Sequence, residues 1–248
     1  MTVDVQFGLK LWSRDADLLP AAADLIRQGI FHYVELTPLP GAAIGPFLAE
    51  KIPYLIHVPA EQAGVNIADP AQWDRSRQVI LEAREWADRL GAEGTILHPG
   101  FGRPGVAAAF LRKLEGTGIL IENMPKVGIS GEPMVGYDRD SLEPLLGGGR
   151  RLCLDLNHAA KAAVSLGVDY RAFIRDLMDL SPALFHISDG TLTTVRDEHL
   201  PLGSGDYDLR FFRDCIARKR DARVTIETPR SRRTLDEDLA NLERFIHS

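Results

Sequence analysis

Cysteine is scarce in this 248-residue chain: only Cys153 and Cys215 occur, each inside a hydrophobic stretch. A disulfide framework is therefore not expected, and both side chains read as core thiols of a protein kept in a reducing compartment. There is also no surplus of positive charge. Lysine and arginine total 29 against 35 acidic residues, a formal net charge of −6, which removes the broad electrostatic footprint of a non-specific nucleic-acid binder and leaves open only a local basic patch. No apolar run approaches the roughly 18 residues of a membrane span. Residues 1–12 offer neither a basic n-region nor a long apolar h-region, so a cytoplasmic protein is expected. Low-complexity segments, charge blocks and internal repeats are missing as well. So is a glycine-rich phosphate turn after the first strand-like run, because Gly8 in Phe7-Gly8-Leu9 is no such turn; this counts against an open doubly wound sheet.

What is present is the composition of a globular protein, 45% hydrophobic and 26% charged, at about the length that an α/β barrel uses as one domain. Apolar runs of strand length recur at residues 5–11, 33–36, 54–58, 95–98, 118–122, 152–156, 184–187 and 224–227. Between them, helical spacing is expected over 15–28, 71–90, 105–114, 138–146, 158–165, 170–180, 209–219 and 235–245, with Gly91 capping the second of these. Most of the strand runs are continuously apolar, as strands buried on both faces of a parallel sheet must be. Eight βα units over residues 1–248 predict a single-domain (β/α)8 TIM barrel.

In such a barrel every strand delivers its last residue to one rim, where the chemistry sits. Here six consecutive strand ends carry His57, His98, Glu122, Asp155, His186 and Glu227. His158 follows Asp155 by three residues, and His199 follows Asp197 by two. Five of the seven histidines thus belong to one constellation. Asp155 alone could simply cap a helix. Burying this many titratable groups together without a partner costs several kcal/mol each, however, and a metal satisfies them jointly. Histidine and carboxylate without cysteine is a donor set for zinc, with manganese or iron as alternatives.

The motifs His57-Val58-Pro59, His98-Pro99-Gly100, Glu122-Asn123, Asp155-Leu156-Asn157-His158, His186-Ile187-Ser188-Asp189, Asp197-Glu198-His199 and Ile226-Glu227, colinear over most of the chain, resemble the xylose isomerase-like barrel superfamily. More narrowly, they are similar to its endonuclease IV branch, the AP endonuclease family 2 proteins. That resemblance implies three divalent metals: one on His57, His98 and Glu122; a second on Glu122, Asp155, His186 and Glu227; a third on His158, Asp197 and His199. It also implies phosphoester hydrolysis, in which clustered metals bind phosphate, activate a bridging water and neutralise the leaving oxygen, with Glu122 and Glu227 as the catalytic carboxylates.

The rival branch, sugar isomerases and epimerases, resembles the chain at Glu122, Asp155, His186 and Glu227, which would hold one metal while the two glutamates move protons. His57, His98, Asp197 and His199 separate the branches, since a one-metal enzyme needs none of them. Glu35 looks like the second-strand motif of the epimerase side, or else like a solvated rim carboxylate. The stretch 58–64 lacks the aromatic wedge of the DNA repair enzymes, and Leu9-Lys10-Leu11-Trp12-Ser13 departs from their opening strand. A small phosphorylated or sugar-like substrate is therefore favoured over duplex DNA. Asn123 and Asp189 are expected to orient ligand side chains or a substrate oxygen. Arg103, Lys126, Lys161 and Arg196, in or near rim loops, could hold phosphate or carboxylate oxygens, but basic loop residues are more often solvated; the basic stretch 213–233 could form a stripe on the outer barrel, with a solvated face the stronger reading.

Overall fold

In the computed structural model, which describes residues 5–114 and 118–248, eight parallel strands close into a barrel in the order β1 to β8, with β1 hydrogen-bonded to both β2 and β8. They are β1 (Gln6–Trp12), β2 (Tyr33–Thr37), β3 (Tyr54–His57), β4 (Thr95–Leu97), β5 (Ile119–Glu122), β6 (Arg151–Asp155), β7 (Leu184–Ile187) and β8 (Arg223–Ile226). Each lies within a residue or two of its expected run. Residues 1–4 of the N-terminal stretch read above lie outside the described residues.

The helices wrap the outside: α1 (Leu19–Arg27), α2 (Gly45–Ala49), α3 (Trp73–Leu90), α4 (Pro104–Lys113), α5 (Arg139–Leu146), α6 (Leu156–Leu166), α7 (Tyr170–Met178), α8 (Leu209–Ile216) and α9 (Asp236–Ile246). Two differ from expectation. The segment expected to be helical from residue 15 opens as a 3-10 turn, Ser13–Leu18, because Pro20 near the start of α1 has no backbone N–H to donate and sets a new helix beginning there. The short α2, Gly45–Ala49, has too few turns to show a periodic stripe. Gly91 caps α3 at φ +63°, as read. No helix among the described residues is long and apolar enough to cross a membrane.

Strand parity divides the barrel interior into two layers. Inward side chains recur every second residue, and one inner layer is a buried apolar plug of Tyr33, Leu55, Ile96, Leu120, Cys153 and Leu184. Two residues further along each of these six strands stand Glu35, His57, His98, Glu122, Asp155 and His186. Gly8 leads in the same way to Lys10, and Thr225 to Glu227. Gly8 must be glycine, since a Cβ there would lie 2.1 Å from the Tyr33 ring. The opposite faces of the strands, such as Leu9, Leu11, Val34 and Leu36, join the main core beneath the helices. Cys153 and Cys215 are free and buried, and burial pushes both thiols up, so both are core thiols.

Candidate metal centre

All nine expected ligands converge at the rim formed by the strand C-termini. Three groups of donor atoms, each within 4.8 Å of one another, match the three expected sets: His57, His98 and Glu122; Glu122, Asp155, His186 and Glu227; and His158, Asp197 and His199. Glu122, fully buried at the end of β5, faces two groups at once. Its Oε2 lies 3.1 Å from His57 Nε2 and 3.2 Å from His98 Nε2, and its Oε1 lies 3.4 Å from His186 Nδ1. His186 Nδ1 is also 3.4 Å from Glu227 Oε1. In the third group, Asp197 Oδ2 is 3.3 Å from His158 Nε2 and 2.7 Å from His199 Nε2. Zinc bonds of about 2.0–2.1 Å to nitrogen and oxygen place tetrahedral donor atoms about 3.3–3.4 Å apart, so most of these separations suit a shared ion.

Two further observations fit a metal. Glu122 Oε1, Asp155 Oδ2 and His186 Nδ1 are buried without a hydrogen-bond partner, an arrangement that is costly unless a cation takes their lone pairs. In addition, four of the five histidines give their other ring N–H to an oxygen: His57 Nδ1 to Val58 O at 3.0 Å, His158 Nδ1 to Asn123 O at 2.9 Å, His199 Nδ1 to Glu227 O at 2.8 Å, and His186 Nε2 to Glu35 at 2.9 Å. Each such bond fixes the tautomer and aims the remaining nitrogen into the cluster. His199 also adopts a left-handed backbone, φ +46°, a conformation that costs a non-glycine residue of order 1–3 kcal/mol and is retained where it places a side chain.

The charges lean on one another. Burial pushes His98 down, but the Glu122 and Glu61 carboxylates outweigh it and lift the imidazole to about 10. Burial likewise pushes His199 down, but Asp197 and Glu227 outweigh it and raise the imidazole to about 9. His158 and His186 are also held well above the ordinary histidine value against burial, by Asp155 and Asp197 in the first case and by Cys153, Glu227 and Glu35 in the second. His57 goes the other way, lowered by burial and by Lys10. Burial raises Asp155 to about 6, whereas Glu122 is held well below the carboxylate range by His186 and His98 despite its burial. These histidines must shed protons to bind a metal, which couples metal affinity to pH.

Asp155 caps α6, its Oδ1 accepting from His158 N at 2.7 Å, and its Oδ2 is left buried without a hydrogen-bond partner among the candidate donors. Asn123 clasps the Asp155 backbone, donating to its carbonyl and accepting from its N–H. Asp189 contacts no ligand side chain. Its carboxylate accepts the N–H groups of Gly190, Gly203, Gly205 and Tyr207, and so organises the loop that carries Asp197 and His199. Glu35 is not a solvated rim carboxylate: it is fully buried, bonded to His186, Lys10 and Thr225 Oγ1. Lys161 is not solvated either. Fully buried on α6, it pairs with Glu198 and donates to the Thr191 carbonyl, whereas Arg103 and Arg196 are exposed as expected.

Sequence reasoning passed over Lys10, Glu61 and Asn157. Lys10 Nζ lies 2.5 Å from Glu35 Oε1 and 2.6 Å from Glu227 Oε1; burial pushes its pKa down, but the two carboxylates raise it overall. The signal was available, since a lysine at an inward position of an otherwise apolar strand is out of place unless partnered. Glu61 Oε2 stands 3.7 Å from His98 Nδ1, and Asn157 Nδ2 donates to Asp197 Oδ1 at 2.5 Å. Above the cluster opens a cavity of about 810 Å³. Lys10, His57, His98, His158, Asp197, His199 and Glu227 reach its wall, and its outer lining includes Trp12, Arg14, Arg230, Arg232 and Arg233.

Comparison with known proteins accords with this arrangement. No curated protein sequence matches the chain. Among solved structures, an endonuclease IV from Thermus thermophilus superposes with a TM-score of 0.70 at 23% identity, over 98% of each chain. A D-tagatose 3-epimerase-like protein gives 0.71 at 18%, over 98% of this chain and 97% of that one. The IOLI protein, described with a binding zinc atom, gives 0.68 at 14%, over 96% of each. At these identities the likeness establishes the fold and does not choose between the activities. The family model of the xylose isomerase-like TIM barrel, however, matches residues 16–245, and with this barrel and this rim the chain belongs to that family.

Proposed function

We propose that the protein is a divalent-metal-dependent phosphoester hydrolase with three metal positions, zinc being the metal that the donor set suits best. The observation that carries this reading is the third group, His158, Asp197 and His199, assembled with its outer hydrogen bonds in place. A one-metal isomerase has no use for it. Divalent metals held there would supply Lewis acidity, lowering the pKa of a bridging water and neutralising a leaving oxygen.

The chain's own residues divide the remaining work. Glu122, fully buried, holds two groups together and does not reach the cavity. Glu227 does, so of the two carboxylates expected to be catalytic it is the one positioned to meet substrate. The cavity volume lies within the range of about 300–1,000 Å³ typical of small-ligand sites, and the arginines at its mouth suit an anionic substrate. The loop that holds Glu61 lacks an aromatic wedge, which favours a small phosphorylated compound over duplex DNA.

A second reading, a sugar isomerase or epimerase using one metal on Glu122, Asp155, His186 and Glu227, is favoured by the buried Glu35 on β2, which orients His186 within that set. Elemental analysis of protein purified without chelator, beside His199→Ala, separates the two. About three metals per chain, falling by about one on mutation, with turnover on phosphomonoesters or phosphodiesters, is the expected result. About one metal, indifferent to His199, with turnover on ketoses or aldoses, sinks the hydrolase reading.

A further inference from the structure

Between β7 and α8 the chain carries Asp197 and His199 on a lobe, residues 189–200, that contains no helix and is closed at its base by the paired backbone bonds of Asp189 and Leu200, at 2.9 and 2.8 Å. Residues 193–196 are exposed, and of the described residues 190–199 only Leu192 packs against the main core. Apolar contact therefore does little to hold the lobe, and α6 supplies the rest. Asn157, His158 and Lys161 lie three and four residues apart, on one face of that helix. The first two meet Asp197. Lys161 is the only lysine or arginine among the described residues that is fully buried. Its ammonium donates to the Thr191 carbonyl at 2.8 Å, to the Thr194 carbonyl and hydroxyl at 3.3 and 3.2 Å, and to Glu198 Oε2. The same Glu198 oxygen accepts from the N–H and the hydroxyl of Thr191, each at 2.9 Å. Glu198 stands between Asp197 and His199 in the chain.

We propose that Lys161 is the positioning residue of the third donor group: it ties α6, which carries His158, to the lobe, which carries Asp197 and His199, and so assembles the three donors independently of a bound cation. This inference rests on the metal-centre reading above. The physical reason is the cost of a stranded charge. An ammonium is tolerated away from water only where its hydrogens are met, and the three that a lysine carries all find acceptors in the lobe. Any displacement of the lobe leaves that ammonium in the protein interior without partners, so the closed position is the one retained. A neutral side chain at position 161 carries no such penalty and leaves Asp197 and His199 held by their own hydrogen bonds alone. Lys161 does not line the cavity, so it acts through the lobe and not on a substrate.

The test has a metal-free and a metal-bound arm. In chelator-stripped, full-length protein, amide hydrogen exchange is followed at Leu192 and Leu200, whose N–H groups bond to Asp206 and Asp189 and to neither Lys161 nor Glu198. Lys161→Met is expected to speed exchange there about 10–100-fold, as loss of charged hydrogen bonds should, and by more than at the amides of β7 and β8. In the second arm, competition with a chromophoric chelator is expected to show one of about three zinc ions bound about 10–100-fold more weakly than in wild type, with the other two unaltered. Unchanged exchange at Leu192 and Leu200, or acceleration spread equally over the strands, overturns the proposal. So does zinc binding that is unaltered, or weakened alike at every position; either result leaves the metal-centre reading standing. A wild type that takes up no zinc overturns that reading, and this inference with it. Should Lys161→Met not fold, Glu198→Ala, at a half-buried loop position, must reproduce both local effects, and wild-type values in that variant overturn the proposal.

Discussion

The two inner layers of the barrel are built from the same strands, two residues apart, yet they hold themselves together by opposite means. The plug of Tyr33, Leu55, Ile96, Leu120, Cys153 and Leu184 is held chiefly by apolar contact, the Tyr33 hydroxyl adding a hydrogen bond with Thr225 Oγ1 at 3.0 Å. Leu55, Ile96, Leu120 and Leu184 contribute through burial, independently of any neighbouring charge. One pleat further, the layer of Lys10, Glu35, His57, His98, Glu122, Asp155, His186 and Glu227 has buried lone pairs without partners and histidines whose protonation is set by adjacent carboxylates. Contact cannot satisfy that layer; cations can. The rim is arranged as a set of candidate donors rather than as a packed layer, and substitutions in the two layers should therefore fail in different ways.

The sharpest break is Glu122→Gln. Because this carboxylate faces two groups, zinc content is expected to fall from about three to about one per chain, with turnover lost; elemental analysis beside a phosphoester assay checks it. Leu120→Ala, two residues earlier on the same strand, should do the reverse. It is expected to lower stability by about 2–5 kcal/mol in stripped and zinc-loaded protein alike, with the zinc count unchanged, as denaturant titration of both forms would show. A zinc count that dropped with Leu120→Ala would erase the distinction between the layers.

Glu35→Gln is expected to leave the three-metal count intact while weakening zinc binding about 10–100-fold, the usual effect of losing a carboxylate that orients a metal-bound histidine; competition with a chromophoric chelator measures it. The smallest effect is in pH. In stripped protein, His98 and His199, at about 10 and 9 in the folded chain, are raised above their unfolded value of 6.5. Their contribution is thus complete below about pH 6.5 and lost as pH rises towards 10. Asp155, raised from 3.8 to about 6, adds a loss in the same direction at lower pH. The melting temperature of stripped protein should therefore decline between pH 6.5 and 10, and saturating zinc should flatten that decline. A melting temperature that rises over this range contradicts the reading.

The barrel was legible because burying a strand on both faces demands continuous apolar runs, and eight such runs alternating with helical stripes leave few other solutions. The candidate donors were legible for a related reason. A His, Asp or Glu that ends an apolar strand interrupts the pattern, and His57, His98, Glu122, Asp155, His186 and Glu227 all do so. Lys10 obeys the same parity but sits inside a longer run that continues to Trp12, so it did not stand out; Glu35, inside a strand that continues to Thr37, did stand out, but its burial and its bond to His186 could not be read from the sequence. The carboxylate that Lys161 holds was not legible because Glu198 lies on a distant loop, and the partners of Asp189 were not because they are backbone N–H groups that are contiguous only after folding.

The sequence by itself therefore determined the eight-fold alternation and the apolar layers, and it singled out nine candidate donors, since each of these follows from local periodicity and side-chain chemistry. Only the tertiary structure decided which of these side chains stand together, which nitrogen of each histidine faces inward, and that an ammonium stands between Glu35 and Glu227. Those facts depend on separations of a few ångströms between strands remote in the chain, and only closure of the barrel sets such distances.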